Sequence, residues 1–287
     1  MGQHSQDRQL SLGRIGYLNV LPIYYPLESG IVTHSFSIVS GSPARLNRLM
    51  ARGDIDLSVV SSIEYARHPE RYFILPDLSI SCHGEVKSVL LLSRVPIRQL
   101  AGETILVSTQ SHTSVALLKI LFSAHLGLDV RFQAGNCTEA LERGDFPRAF
   151  LAIGDEALRL RQDERYPHKW DLGEAWHTWT GLPFVFALWV VQRRSIERWN
   201  GFLESAIEAL WDAKKWGEAH LDRICEEAVG RGPLDFAELH DYYRCLGYNL
   251  DIGEQKGLEL FFRYLVEVGE IEEAPRLDIH SPLACVA

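Results

Sequence analysis

The chain has 287 residues, 46% of them hydrophobic, enough to bury a large core, and a length that corresponds to about two domains. Its 29 basic and 38 acidic residues give a net charge of −9, and no run of Lys or Arg is present to track a phosphate backbone, so nucleic acid is not an expected partner. The longest apolar run, residues 182–191, is about half of what a membrane helix needs, and the cysteines (Cys82, Cys137, Cys225, Cys245 and Cys285) are odd in number and form no CxxC pair. They read as reduced cytosolic thiols, neither a disulfide frame nor a zinc site.

Residues 1–13 contain no apolar core, so no secretory signal is expected in them and the protein is expected in the cytoplasm. The stretch Arg14-Ile-Gly-Tyr-Leu-Asn-Val-Leu-Pro-Ile-Tyr24 opens as a short strand and runs into a loop carrying Asn19, followed by a helix over 22–29. Ligands of open α/β sheets collect beyond the carboxyl ends of the strands, so Asn19 is placed either to grip a ligand or to cap that helix. Residues 35–40 alternate like a half-buried strand. Ser42 and Pro43 then start a helix with Leu46, Leu49 and Met50 on its apolar face, Gly53 ends it, and residues 54–60 form the next strand, leading into Ser61 and Ser62. A strand–helix–strand unit of this kind implies parallel strands joined by a crossover.

The same grammar returns later. Residues 129–133 are a strand, 135–138 a cap region, 139–143 a helix closed by Gly144, and 150–153 a strand ending at Gly154 and Asp155. Arg-Gly-Asp punctuation stands at residues 52–54 and again at 143–145, in matching contexts, and predicts two similar α/β lobes facing each other. The apolar β-rich segments at 84–93 and 182–191 are the natural crossings between them. Lobe I is then residues 1–94 plus 190–287, lobe II residues 95–189, and a ligand binds in the cleft, which can close by hinge motion.

Directly after the first crossing, residues 103–107 form a strand and residues 108–114 a polar turn before a helix over 115–122. Ser111, Thr113 and Ser114 at that helix start suit a carboxylate or small phosphate, although one of them can serve only as a cap. Residues 171–184 carry Trp176, Trp179 and Phe184 as rigid apolar surface, Thr178 and Thr180 as donors, and His177, which beside aromatics reads as structural more readily than as a base. From Ser195 the chain is helical: a helix over 196–216 capped by Ser195, others over 221–229, 233–247 and 252–268, and a loosely held tail from 272.

No Walker loop, Rossmann fingerprint, HExxH or G-x-S-x-G elbow occurs, and the carboxylates lack His partners at metal spacing, so neither cofactor nor metal is expected. The polar residues converging on the cleft are mostly neutral: Asn19, Ser61, Ser88, Ser111, Thr113 and Thr180. Such a site grips an anion and offers little obvious acid or base; His83 and Glu85 are close to Ser88 in sequence only.

Six segments taken in order resemble the chorismate dehydratase family of the futalosine route to menaquinone: Tyr17-Leu-Asn-Val-Leu-Pro22, Val60-Ser-Ser-Ile-Glu64, Gly84-x-Val-x-Ser88, Ser111-x-Thr-Ser114, Ile153-Gly-Asp155 and Thr180-Gly-Leu-Pro-Phe-Val-Phe-Ala187. The resemblance covers about residues 13–270. It implies an α/β fold, a two-lobed type II periplasmic-binding-protein-like clamshell with a helical C-terminal region. It also implies loss of water from chorismate to give 3-[(1-carboxyvinyl)oxy]benzoate, driven by aromatisation, with the small dicarboxylate chorismate as the binding partner, no cofactor, and neither nucleic acid nor membrane. Residue by residue, it makes Asn19 and Ser88 the groups that orient the substrate and hydrogen-bond the transition state. Ser61, Ser62, Ser111, Thr113 and Ser114 follow as carboxylate ligands, with Thr180 and Gly181 lining the cleft. Asp155 either contacts a substrate hydroxyl or caps the helix that begins at Glu156. The base is the substrate's own enolpyruvyl carboxylate or a protein group. Among competing classes, the sister enzyme 1,4-dihydroxy-6-naphthoate synthase has a different opening loop, a solute-binding protein shares the fold without catalysis, and a LysR-type regulator has a helix-turn-helix that is missing here.

Overall fold

The computed structural model describes residues 9–108, 111–199 and 201–281. Among the described residues ten strands run in chain order: β1 (Ser11–Ile15), β2 (Ser37–Gly41), β3 (Leu57–Ser61), β4 (Tyr72–Cys82), β5 (Val89–Ser93), β6 (Thr104–Val107), β7 (Arg131–Ala134), β8 (Ala149–Ile153), β9 (His168–Asp171) and β10 (Phe184–Gln192). The helices between them are α1 (Leu21–Glu28), α2 (Pro43–Arg52), α3 (Ser62–Arg67), α4 (His112–Ile120), α5 (Cys137–Glu142), α6 (Gly154–Leu160) and α7 (Leu172–Thr180). After β10 follow α8 (Arg193–Arg198), α9 (Phe202–Ala219), α10 (Leu221–Ala228), α11 (Phe236–Arg244) and α12 (Ile252–Glu267). Among the described residues no helix is long and apolar enough to cross a membrane.

Local chemistry sets these boundaries. Ser42 Oγ accepts from the Arg45 N–H with Pro43 in the first turn of α2, and Gly53 stops the helix at φ +70°. Asn136 does the same for α5 by accepting from the Glu139 N–H, and Gly144 turns the chain at φ +81°.

The strands form two sheets of one plan, ordered β2-β1-β3-β10-β4 and β7-β6-β8-β5-β9. In each, the second strand pairs parallel with its two neighbours, and the fourth is antiparallel to both of its own. The fourth strand is in each case the one that arrives from the other sheet: β5 after residues 83–88, β10 after α7 and residues 181–183. The expected boundary at residue 94 differs from the sheet division, because β5 pairs with β8 and β9 and so belongs to the second sheet.

Three expectations of local structure are corrected. Ser195 caps nothing: it is buried and donates to Asp56 Oδ1 at 2.8 Å, and the expected single helix is split where Gly201 takes φ +83°. Pro233 precedes rather than opens α11, which Asp235 caps. The described part of the tail is docked rather than loose, with Ile74 N donating to Asp278 O at 2.9 Å and His280 N to Ile74 O at 2.8 Å; Cys285 lies outside the described residues.

The C-terminal helices build a satellite core in which Ile224, Leu234, Leu239, Tyr242 and Tyr243 pack with Leu18 after β1, with Leu21 of α1 and with Leu158 of α6. The helical region thus touches both sheets where the loops after β1 and β8 meet.

Candidate active site

A cavity lies between the sheets, walled mainly by apolar side chains: Ile15, Val59, Val60, Ile80 and Phe186 from the first sheet, Val86, Val89 and Ile153 from the second side. Its polar lining comes from element junctions. Tyr17 and Asn19 follow β1, Asn47 stands one turn into α2, Ser61 ends β3, Ser88 precedes β5, and Ser111, His112 and Ser114 form the start of α4. Pro43, Ala44 and Gly154 add the first turns of α2 and α6. First-turn N–H groups have no partner within their helix and carry the positive end of its dipole, so the starts of α2 and α4 are suited to carboxylates without a lysine or arginine, whereas the Gly154 N–H of α6 is spent on the Ser88 carbonyl. Among the described lining residues there is no Asp, Glu, Lys or Arg.

Asn19 does not cap α1; that position is Val20, and no side chain caps the helix. The Asn19 Oδ1 is buried without a hydrogen-bond partner, while its backbone carbonyl is fixed by the Tyr248 hydroxyl at 2.8 Å and the adjoining Leu18 carbonyl by the Tyr243 hydroxyl at 3.1 Å. An unfilled buried acceptor costs about 1–3 kcal/mol, so this loop is held in place for something outside itself.

Ser88 is 3% exposed. Its Oγ accepts from the Tyr242 hydroxyl at 3.2 Å and lies 3.3 Å from the Val86 carbonyl. The turn before it is unusual, with Lys87 at φ +60°. Asp171 holds that turn: its carboxylate accepts from the N–H groups of Val86 and Lys87, at 2.7 Å for Lys87, and from Gly173 and Glu174 at the start of α7. One carboxylate therefore ties together the two chain crossings.

Of the residues singled out in the sequence, Asn19, Ser61, Ser88, Ser111 and Ser114 line this cavity. Ser62 and Thr113 do not: the Ser62 Oγ donates to the Val185 carbonyl at 2.6 Å, and the Thr113 Oγ1 accepts from Ile63 N at 3.1 Å, joining α3 to α4. Thr180 and Gly181 also lie off the lining. Thr180 donates to the Trp176 carbonyl at 2.8 Å and Gly181 ends α7 at φ +71°. Asp155 neither caps α6 nor lines the main cavity; it lines an adjoining one with Asn136 and Thr138 and accepts from Leu18 N at 3.4 Å. Burial pushes its carboxyl above the ordinary aspartate range despite that bond. His83 pairs with Glu254 at 2.6 Å, and His177 Nδ1 sits 3.2 Å from the Leu182 carbonyl; neither lines the cavity.

Tyr17, Asn47, His112 and Tyr242 were not singled out. His112 lay inside the polar turn already read as an anion site, and Asn47 one turn beyond Pro43. A tyrosine on an amphipathic C-terminal helix carries no signal that separates it from core packing.

The family model for menaquinone biosynthesis matches residues 10–267. The chain is 31% identical over 269 residues to the chorismate dehydratase of Thermus thermophilus, covering 88% of this chain and 94% of the relative. It is 32% identical over 191 residues to the chorismate dehydratase of Campylobacter jejuni, covering 64% and 69%. Among solved structures, AF1704 of Archaeoglobus fulgidus superposes with a TM-score of 0.75 at 18% identity, covering 93% of this chain and 100% of that one. The alkanesulfonate-binding protein SsuA of Xanthomonas axonopodis, bound to MOPS, gives 0.68 at 15% identity with 96% and 97% covered. The Candida albicans CA3427 product, described as having the generic periplasmic binding protein fold, gives 0.68 at 12% identity with 93% and 92% covered. The fold is thus the periplasmic-binding-protein-like clamshell that the sequence motifs imply.

Proposed function

We propose that this chain, which belongs to the menaquinone biosynthesis family, is a chorismate dehydratase that converts chorismate to 3-[(1-carboxyvinyl)oxy]benzoate and water. What most supports this is the buried, unpartnered Oδ1 of Asn19 in a cavity otherwise lined by apolar walls and helix starts. Such a site suits an anionic ligand with a hydroxyl to offer.

The reaction removes the ring C3 proton and the C4 hydroxyl. The C3–H electrons become the new C3=C4 bond, the C4–O bond breaks, and the departing hydroxide takes up the proton to leave as water. Aromatisation drives this, so the protein's work is orientation. The first turns of α2 and α4, with Ser61, Ser111 and Ser114, hold the carboxylates. Asn19 meets the C4 hydroxyl, and Ser88 donates a hydrogen bond to the oxygen on which charge develops. With no Asp, Glu or Lys on the described wall, the enolpyruvyl carboxylate of the substrate itself accepts the C3 proton and passes it to the leaving oxygen. The free thiols of Cys82, Cys137, Cys225 and Cys245 suit a reducing compartment, and we assign the protein to the cytoplasm.

Incubation of the purified protein with chorismate, without metal or nucleotide, and analysis by chromatography and mass spectrometry tests the function. A product lighter by one water is expected, with Asn19→Ala lowering kcat by about a hundredfold, as for loss of a positioned transition-state group. Binding without turnover would make the protein a solute-binding relative, and a fully active Asn19→Ala would remove Asn19 from the chemistry.

A further inference from the structure

We propose that Tyr242 is a positioning residue for the reaction, acting through Ser88 by fixing which way the serine hydroxyl proton points; the inference rests on the dehydratase function above. Tyr242 belongs to α11 in the C-terminal helical region and is 1% exposed, buried in the satellite core against Leu239 and Tyr243. Its hydroxyl reaches the Ser88 Oγ at 3.2 Å.

The direction of that bond follows from its surroundings. The Tyr242 hydroxyl is fully buried, and burial pushes its pKa above the ordinary phenol range, so it keeps its proton and can donate. Ser88 Oγ accepts that proton and must direct its own elsewhere. The protein acceptor within reach is the Val86 carbonyl, at 3.3 Å, and that oxygen already receives the Ser88 backbone N–H at 2.7 Å. The serine O–H is thus held by a long bond to an occupied acceptor and is free to swing toward a ligand oxygen. A donor standing behind Ser88 also polarises its O–H, so the bond that it gives away is strengthened.

The backbone around Ser88 is fixed independently. Asp171 clamps Val86 and Lys87, and the Ser88 carbonyl accepts from Gly154 N at 2.7 Å. Tyr242 is therefore left to govern the hydroxyl and not the loop, which separates a positioning role from a structural one.

Steady-state and single-turnover kinetics on chorismate test this in four proteins: wild type, Tyr242→Phe, Ser88→Ala and the double variant, with enzyme in excess keeping the Ser88→Ala background measurable. Tyr242→Phe is expected to lower kcat about tenfold, the worth of one lost hydrogen bond, with KM changed by less than about twofold. In the Ser88→Ala background the same substitution is expected to change kcat by less than about twofold, because the group it acts through is gone. Site-specific replacement of Tyr242 by 3-fluorotyrosine, which keeps the ring and strengthens the donor, is expected to raise kcat by up to about twofold and to leave kcat unchanged in the Ser88→Ala background, so it carries the test should the phenylalanine variant fold poorly; no rise, or the same rise in both backgrounds, overturns the inference. Unchanged kcat in Tyr242→Phe, or equal losses in both backgrounds, overturns the inference while the function stands. A wild type that does not dehydrate chorismate overturns both.

Discussion

His112 and Tyr17 are the titratable side chains on the described cavity wall, and neither is set up as a base. Burial first, then the charges of Asp155 and Glu156, push the Tyr17 phenol above its ordinary range, so it stays protonated. The Nδ1 of His112 lies 3.2 Å from Arg67 Nη1. A guanidinium has no acceptor, so Nδ1 must supply the lone pair, which leaves the proton on Nε2. The Nδ1 lone pair is then already engaged, and the ring presents its Nε2–H as a donor. His112→Gln, which keeps a polar group at the mouth of α4, is expected to retain kcat on chorismate within about tenfold, whereas loss of a true general base costs about a hundredfold to ten-thousandfold. A fall of the larger size would return the C3 proton to the protein and remove the substrate carboxylate from that role.

Close backbone approach, invisible to hydrophobic patterning, decides how the elements meet. Gly217 of α9 faces the Pro22 carbonyl of α1, and a Cβ built there would stand 2.0 Å from that oxygen. Neither partner is a flexible side-chain end, so Gly217→Ala must push α9 off α1 and is expected to cost about 1–3 kcal/mol, read as a lowered urea midpoint with an unchanged slope. Where signals were local, the sequence was readable: Ser42, Pro43 and Gly53 bound α2 as expected, and Gly144 closes the turn after α5. Where partners are distant, it was not. The long strand β4, absent from the expected elements, carries Pro76 and an Asp77 at φ +55°, and Lys214 from α9 spans that break by donating to the Asp77 carbonyl at 2.8 Å. The cavity lining follows the same division. Asn19, Ser61, Ser88, Ser111 and Ser114 sit at strand or helix ends that motif spacing exposes, whereas Thr180 looked equivalent until its hydroxyl was found spent on the Trp176 carbonyl. Tyr242 becomes visible only when α11 is seen to lie behind Ser88.

At the scale of the molecule, two sheets of identical plan enclose the cavity, joined by a shared apolar core and by a set of polar contacts. Leu18 N reaches Asp155, Ile63 N reaches Thr113, and Glu270, just beyond α12, accepts from Arg67 of α3 at 2.7 Å and from Lys119 of α4 at 2.6 Å. Burial alone would raise the Glu270 carboxyl, but its bonds to Lys119 and Arg67 outweigh that and hold it below the ordinary glutamate range. A carboxyl depressed in the folded state contributes stability that is complete above its unfolded pKa, about 4.3, and is lost as pH falls through the folded value. Arg67 and Lys119 are each about one-third exposed, so solvent screens the pairs and their joint worth is about 1 kcal/mol. Glu270→Gln is therefore expected to lower the melting temperature by about 2–4 °C near pH 7, a gap that closes as the pH is taken below the folded pKa and narrows in about 1 M salt. Thermal unfolding of both proteins across that range checks it. A gap that persists unchanged in acid would mean that Glu270 contributes by packing, and that charge does not hold α3 and α4 together across the cleft.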